Sequence, residues 1–196
     1  MEEDLIYKQV LNRLENQNPD VRMLVNAAGF GKMGTIEEIA AEDKKLQLRM
    51  IDLNCRGLTE MTLTCLPYMS KGSRIINVAS AAAFCPQSGF AVYAATKSYV
   101  LSFSKGLGAE VRKKGIIVTA VCPGPVDTEF FDVAGTNNSL MKKKVLSDAP
   151  SVVRKALIDA RNRKSMSVYG IPMKAAQAAA KLLPDHMILA AMEKLG

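Results

Sequence analysis

Three short apolar runs constrain the fold of this chain more than any other feature of its sequence. They are VRMLVNAAG (21–29), SRIINVAS (73–80) and IIVTAVCPG (116–124). Each run is nearly continuous in apolar residues, which is typical of strands that are buried on both faces. Helical patterns separate the runs, so the sequence predicts an α/β fold in which helices cover both faces of a parallel sheet.

The predicted helices have recognisable ends. Thr35 is a candidate N-cap and Gly72 a candidate stop for the first long helix, and Gly115 closes the second. A less regular stretch follows, and a fourth strand and a last helix are predicted near the end of the chain. The predicted helices cover 34–72, 93–114 and 174–195, and the fourth strand is MSVYG at 166–170.

Length and composition favour one domain, 1–196. The chain has 196 residues without an internal repeat or linker, and its apolar runs are too short for a transmembrane segment. Its start, MEEDLIYKQV, is acidic and unlike a secretory signal. The four cysteines form no C-x-x-C pair and no metal spacing with His186, so we expect no metal site and a reduced, cytoplasmic location.

The charge of the chain is unevenly distributed. Residues 1–98 are neutral overall, and residues 99–196 carry the whole net charge of +7, mostly in MKKKV (141–145) and RKALIDARNRK (154–164). A solvated helix face is the simpler interpretation, and a docking surface for an acidic partner or a phosphorylated ligand is the alternative. No aromatic residues interleave the basic ones, so the sequence predicts no nucleic-acid role.

The ends of the strands predict where a ligand binds. In parallel α/β sheets ligands lie outside the carboxyl ends of the strands, so NAAG, VAS and CPG are expected at one edge. Tyr93 and Lys97 are four positions apart on one face of the helix that begins near this edge. A nearby ammonium lowers the pKa of a phenol, which makes it a usable general acid or base. With the hydroxyl of Ser80 beside them, these groups suit hydride transfer to or from a carbonyl.

A second motif, in the loop after the first strand, is weaker evidence for a nucleotide site. GFGKMG, with Gly29, Gly31 and Gly34, matches the G-x-G-x-x-G dinucleotide fingerprint and follows a strand. The fingerprint also requires a second strand that ends in an acidic residue about 20 positions later. The nearest candidate, Asp52, lies in a helical stretch, so the match is expected to be coincidental.

Five ordered motifs show that the chain resembles the short-chain dehydrogenase/reductase family over residues 20–135. They are NAAG (26–29), the asparagine of DLNCRG, Ser80 after its strand, YAATK (93–97) and PGPVDT (123–128). The resemblance implies a Rossmann-type, doubly wound sheet in three α/β/α layers.

The resemblance also implies catalytic roles. Tyr93 would donate or accept the proton, and Ser80 would orient the substrate carbonyl. Lys97 would lower the pKa of Tyr93 and bind the nicotinamide ribose, and Asn54 would hold a water of the proton relay. The implied substrate is a small carbonyl compound or secondary alcohol.

The implied cofactor is NAD(P), without a choice between NAD and NADP. Asn26 and Gly29 would shape the cofactor wall, unless Asn26 mainly stabilises the sheet. The nicotinamide and its neighbouring phosphate would be lined by Pro123, Gly124, Val126 and Thr128. The full implied cofactor set is Asn26, Ala28, Gly29, Tyr93, Lys97, Pro123, Gly124, Val126 and Thr128.

One departure from the family pattern separates two hypotheses. The glycine-rich turn T-G-x-x-x-G-x-G and two βα units, roughly 60 residues, are missing, so the fold is expected to be N-terminally truncated with VRMLV as an exposed edge strand. The chain is then either the catalytic part of an oxidoreductase or a non-catalytic remnant that acts as a binding or assembly module.

The resemblance further implies a homo-oligomer, a dimer or tetramer, through the helices around 41–70 and 93–114. The stretch 130–165 is expected to form a lid over the substrate.

Overall fold

Four parallel strands form the sheet of this protein. The computed structural model describes residues 2–130, 134–135 and 146–193. The strands are β1 (Met23–Asn26), β2 (Arg74–Val78), β3 (Ile117–Val121) and β4 (Met166–Ser167). They lie in the order β1-β2-β3-β4, and every neighbouring pair is parallel. The strand prediction is confirmed, although β4 is shorter than expected.

Helices connect and flank these strands. They are α1 (Glu2–Gln17), α2 (Ile36–Glu42), α3 (Leu46–Ile51), α4 (Leu58–Cys65), α5 (Ala91–Glu110), α6 (Ala149–Arg161), α7 (Ile171–Leu182) and α8 (Asp185–Glu193). A π-helical segment, Asp52–Gly57, joins α3 to α4, and 3₁₀ turns occur at Leu66–Tyr68, Ala81–Phe84 and Val111–Lys114. None of the helices described here is both long and apolar enough to cross a membrane.

The long helix predicted over 34–72 is interrupted in two places. Thr35 does cap its start, because its hydroxyl accepts from the Glu38 N–H while the Glu38 carboxylate accepts from the Thr35 N–H. The first break follows α2, where the Asp43 carboxylate accepts a hydrogen bond from the Lys45 N–H at 2.8 Å. Such local bonds favour turns over helix. The second break is the change of helix type at Asp52–Gly57.

The two later helices differ in how well they were predicted. The helix over 93–114 is confirmed as α5 and its 3₁₀ extension, and Gly115 ends it with a left-handed backbone at φ 73°. The last predicted helix is divided into α7 and α8 around Pro184. Proline interrupts a helix because it lacks the N–H that the helix needs and clashes with the preceding turn.

The core has three layers. On one face of the sheet, Ile75 and Val118 pack against Leu107 of α5, and the α4 residue Leu58 joins a cluster with Ala120. On the other face, Ile76 and Val121 pack against Ala156 and Ala160 of α6. This arrangement confirms the predicted three-layer α/β/α fold.

Helix α6 belongs to this core rather than to a lid. Its Asp159 is 2% exposed and accepts a hydrogen bond from the Ser167 hydroxyl of β4 at 2.8 Å. Lys155 pairs with the same carboxylate, and the Lys164 Nζ lies 2.9 Å from its Oδ1. The part of the predicted lid that forms α6 was therefore wrongly assigned, and residues 136–145, which include MKKKV, lie outside the described residues.

Strand β1 lies at the edge of the sheet. Its alternate residues Met23 and Val25 are 46% and 51% exposed, whereas Asn26 is buried. The described sheet therefore ends in β1 as an edge strand, as the sequence predicted, and one face of this strand is apolar and exposed.

Candidate active site

The carboxyl ends of three strands meet at one edge, as predicted. Asn26 pairs with Asn77, and Val78 pairs with Val121, so the loops after β1, β2 and β3 leave the sheet side by side. The last two loops are also bonded directly, because the Ala81 N–H donates to the Pro123 carbonyl at 2.7 Å. The edge is therefore a continuous surface built from all three motifs.

Tyr93 lies in the first turn of α5 among aromatic neighbours. It is 7% exposed, and its ring stacks on Phe90 with centroids 4.2 Å apart and tilts against Phe130 at 5.4 Å. The Ser80 side chain lies close enough to the phenol to lower its pKa, and the Ser80 Oγ accepts a hydrogen bond from the Ala82 N–H. The structure thus brings the phenol and the serine hydroxyl together.

The predicted direction of the Tyr93 pKa is wrong in this structure. Burial raises the pKa of Tyr93 above its usual value near 10, and the nearby Ser80 side chain opposes this rise only in part. The Lys97 Nζ is 5.6 Å from the ring centroid. Burial removes the water that would stabilise a phenolate, and this effect outweighs the nearby ammonium.

Lys97 is held one turn further along α5. It is 5% exposed, and its Nζ donates a hydrogen bond to the Val78 carbonyl at 2.9 Å. Burial lowers the pKa of Lys97 to about 8, although the thiols of Cys55 and Cys122 oppose this shift. Lys97 is therefore an ammonium below about pH 8 and loses that charge above it.

Asn54 lies in the π-helical segment, a feature often found at functional sites. Its Nδ2 donates to the Phe30 carbonyl at 2.9 Å and to the Thr96 hydroxyl at 3.0 Å, and its Oδ1 accepts from the Phe30 N–H at 3.1 Å. Both amide hydrogens are therefore used within the protein. The side chain has no free donor for the relay water that the resemblance implies.

Asn26 is the start of a second buried polar chain. Its Nδ2 donates to the Thr62 hydroxyl at 3.0 Å and to the Asn77 Oδ1 at 2.8 Å. Asn77 in turn donates to the Ser104 hydroxyl at 2.9 Å. These bonds join α4, β1, β2 and α5, which favours the sheet-stabilising role for Asn26.

Two glycines after β1 are required by close contacts. A Cβ on Gly29 would lie 2.8 Å from the Asn54 Oδ1 and 3.3 Å from the Lys97 Nζ. A Cβ on Gly31 would lie 2.9 Å from atoms of both Phe90 and Tyr93. Because the hydrogen-bonded cap formed by Thr35 already serves the start of α2, GFGKMG forms a wall beside Tyr93 rather than a phosphate loop.

The third loop carries the remaining predicted residues. The backbone of Ser147 fixes this loop: its carbonyl accepts from the Asp127 N–H and its N–H donates to the Pro125 carbonyl, both at 3.0 Å. Thr128 is exposed, and its hydroxyl makes long contacts with described residues, 3.5 Å to the Val126 carbonyl and 3.4 Å from the Phe130 N–H. Gly124 lies under Met173 of α7, so close that a Cβ there would be 2.5 Å from the Met173 sulfur.

Several contact residues of this site were not predicted. The rings of Phe90 and Phe130 enclose Tyr93, and Met173 covers Gly124. Of the unpredicted residues, Thr96 could have been identified from the sequence, because it is a polar residue of the YAATK motif on the buried face of α5. The methionine had no local signal.

Comparison with known proteins agrees with this geometry. Residues 3–139 match the sequence model of the family described as short chain dehydrogenase. The chain belongs to this family.

Named relatives support the same assignment. The chain is 38% identical to a serine 3-dehydrogenase of Agrobacterium fabrum over 114 residues, which are 57% of this chain and 44% of the relative. It is 31% identical to the glucose and ribitol dehydrogenase homolog 2 of Arabidopsis thaliana over 143 residues, 73% of this chain and 48% of that protein. The chain spans about half the length of these curated relatives.

Solved structures share the fold. A short-chain dehydrogenase from Sphingobium yanoikuyae in complex with NADPH has a TM-score of 0.71 and 27% sequence identity, over 90% of this chain and 68% of the other. A short chain dehydrogenase from Burkholderia cenocepacia in complex with NADP also has a TM-score of 0.71, with 21% identity, over 96% and 74% of the two chains. The second likeness concerns the fold alone.

Proposed function

We propose that this chain forms the catalytic part of an NAD(P)-dependent oxidoreductase that interconverts a carbonyl and a secondary alcohol by hydride transfer. The observation that carries the proposal is the buried phenol of Tyr93, with the Ser80 side chain beside it and Lys97 one turn away. Membership in the family and the names of the relatives support it.

Tyr93 would act as the general acid in carbonyl reduction. Because burial raises its pKa, the phenol is protonated at neutral pH and can give its proton to the substrate oxygen. Ser80 would donate a hydrogen bond to that oxygen and fix its position. The Lys97 ammonium would stabilise the phenolate as it forms, since an opposite charge nearby favours the charged form.

The groups at this edge fit the nicotinamide-ribose end of NAD(P). Lys97 has three N–H donors, of which the Val78 carbonyl takes one, so donors remain for ribose hydroxyls. When bound, the cofactor would supply or accept the hydride. The remaining proposed cofactor-lining residues are Asn26, Ala28, Gly29, Pro123, Gly124, Val126 and Thr128. Among the described residues, no glycine-rich loop leads into a free helix N-terminus that would hold the phosphates.

Assembly and location also remain proposals. Leu48 and Leu63, on α3 and α4, are 61% and 63% exposed, and Tyr99 of α5 is 42% exposed. These side chains support a homo-oligomer formed through the two helical regions, because burial of apolar surface drives association. The cytoplasmic location stays a prediction from the cysteine pattern.

The second hypothesis, a binding or assembly module, has one observation in its favour. The Met173 side chain lies directly over Gly124, a proposed cofactor-lining residue. If Met173 keeps this position in solution, it covers part of the proposed nicotinamide wall. The exposed apolar face of β1 would then be the functional surface.

An assay of the purified chain separates the two hypotheses. Oxidation of NADH and of NADPH would be followed with aldehydes, ketones and keto acids, with Tyr93→Phe as the matched control. Turnover that the control lacks supports the proposed reaction. Absence of turnover with every substrate, together with unchanged cofactor fluorescence on mixing, contradicts activity of this chain by itself and favours the module.

A further inference from the structure

We propose that Thr96 is a positioning residue that holds Tyr93 and Lys97 in their working arrangement; this inference rests on the proposed function. Thr96 lies between the two in sequence and is 3% exposed. Its hydroxyl accepts a hydrogen bond from the Asn54 Nδ2 at 3.0 Å and donates one to the Tyr93 carbonyl at 2.8 Å. One hydroxyl thus joins the π-helical segment to the first turn of α5.

The same chain of bonds continues to the loop after β1. Asn54 binds both the N–H and the carbonyl of Phe30, and Phe30 is followed by Gly31, whose Cα faces the Tyr93 ring. Thr96 therefore acts on Tyr93 from two sides. It binds the backbone carbonyl of Tyr93 directly. Through Asn54, it also holds the loop after β1, which packs against the Tyr93 ring.

The chemistry of the hydroxyl explains why threonine is suited to this position. It serves as acceptor and donor at once, and valine, which has the same shape, can do neither. In Thr96→Val the Asn54 amide keeps a buried N–H without a partner, and such a group is costly to leave unsatisfied. The amide then has to reorient, which weakens its bonds to Phe30. Thr96→Ser keeps the hydroxyl and should therefore keep both of its hydrogen bonds.

A purely structural role is the alternative. Threonine hydroxyls in helices commonly bond the carbonyl three or four residues earlier, with only a local effect. Under that alternative, Thr96→Val lowers stability but changes neither the loop after β1 nor the Tyr93 ring. Thr119→Val is a matched control, because Thr119 is fully buried in β3 and its hydroxyl donates to the Lys164 carbonyl at 2.7 Å, remote from Tyr93 in the hydrogen-bond network.

The test uses the full chain and two readouts that need no turnover. Hydrogen exchange of the Phe30 amide should be about tenfold faster in Thr96→Val than in the wild type, because opening of this bond becomes easier. The ¹³Cζ resonance of Tyr93, assigned by its loss in Tyr93→Phe, should move more than those of the other tyrosines. Thr96→Ser and Thr119→Val should leave both readouts at their wild-type values.

Turnover adds a third readout. In Thr96→Val, kcat should fall about tenfold with a smaller change in KM, since misplacement of a catalytic group acts mainly on the transition state. Unchanged Phe30 exchange and an unmoved Tyr93 resonance in Thr96→Val would overturn the inference. A wild-type chain that lacks turnover defeats the proposed function instead, while the two spectroscopic readouts still decide whether Thr96 couples the loop to α5.

Discussion

The Lys97 Nζ lies 2.9 Å from the carbonyl oxygen of Val78 and donates a hydrogen bond to it. Val78 is the last residue of β2, and Ser80 follows two positions later. This bond therefore joins the helix that carries Tyr93 to the strand that leads to Ser80. Since the Ser80 side chain also lies beside the Tyr93 phenol, this bond helps to hold the two halves of the candidate site together.

Replacement of Tyr93 by phenylalanine should remove catalysis and keep the fold. Only the hydroxyl is lost, and the ring contacts with Phe90 and Phe130 remain. A general acid contributes about 10²–10⁴-fold, so kcat should fall at least about a hundredfold. Steady-state kinetics measure the loss, with circular dichroism as the check on folding. Retention of more than about a tenth of the rate would be incompatible with the proposed role.

Carbonyl reduction should lose rate as the pH rises through about 8. The folded-state pKa of Lys97 is lowered to about 8, so the ammonium is present below this pH and absent above it. Tyr93 stays protonated throughout this range because burial raises its pKa. The measurement is kcat/KM against pH, which reports groups of the free enzyme. The Lys97→Met variant should have a low kcat/KM that does not decrease further as the pH rises through about 8. If the decrease persists in this variant, another group causes it.

Alanine at two glycines should have opposite effects. Gly29→Ala should destabilise the chain by about 1–3 kcal/mol, because the new methyl would overlap the Asn54 Oδ1 and overpack a buried site. Gly106→Ala, in the interior of α5 with open space around the added Cβ, should stabilise it by about 0.5–1 kcal/mol. Urea unfolding measures both. Equal effects of the two substitutions would show that the Gly29 contact is unimportant.

Loss of the Asp159 carboxylate should weaken the attachment of α6 to β4. Burial opposes ionisation of this group, but the bonds from Lys155, Lys164 and Ser167 outweigh it and lower its pKa to about 2. Its stabilising effect is therefore complete above the unfolded value near 3.8 and is lost as the pH falls from there toward about 2. Asp159→Asn should cost about 2 kcal/mol at neutral pH, measured by urea unfolding.

The matched control is Asp52→Asn. Asp52 also pairs with a basic residue four positions away, Arg56, but both side chains are about half exposed. Exposed pairs of this kind contribute about 0.3–0.5 kcal/mol. Repeating both comparisons near pH 3 should shrink the Asp159→Asn effect and leave the Asp52→Asn effect small. An Asp159→Asn effect that is the same at both pH values would contradict the assigned ionisation.

The sequence predicted the parts of this molecule that depend on local pattern. Apolar runs of strand length identified all four strands, and their order of appearance placed Ser80, Tyr93 and Lys97 at one edge. The spacing of Tyr93 and Lys97 is a property of the helix itself, so it could be read without knowledge of tertiary structure.

The features that were missed depend on tertiary contacts. The direction of the Tyr93 pKa follows from how deeply Phe90 and Phe130 bury the ring, and burial depth is not written in the spacing of motifs. The occupied amide of Asn54 depends on where the loop after β1 comes to lie. The break after α2 had a local cause, the Asp43 side chain, which competes with the helix for backbone hydrogen bonds.

The π-helical turn at Asp52–Gly57 makes chain length, as well as residue identity, a constraint on this region. A π turn holds one residue more than an α turn for nearly the same rotation of the helix, so deleting one residue here would restore regular α geometry and leave the faces of α3 and α4 almost unchanged. Met50 of α3 would then stay in the core, whereas the residues inside the turn would be realigned and the Asn54 amide would lose its position between Phe30 and Thr96. A single-residue deletion in this segment should therefore preserve the fold better than it preserves the hydrogen bonds of Asn54.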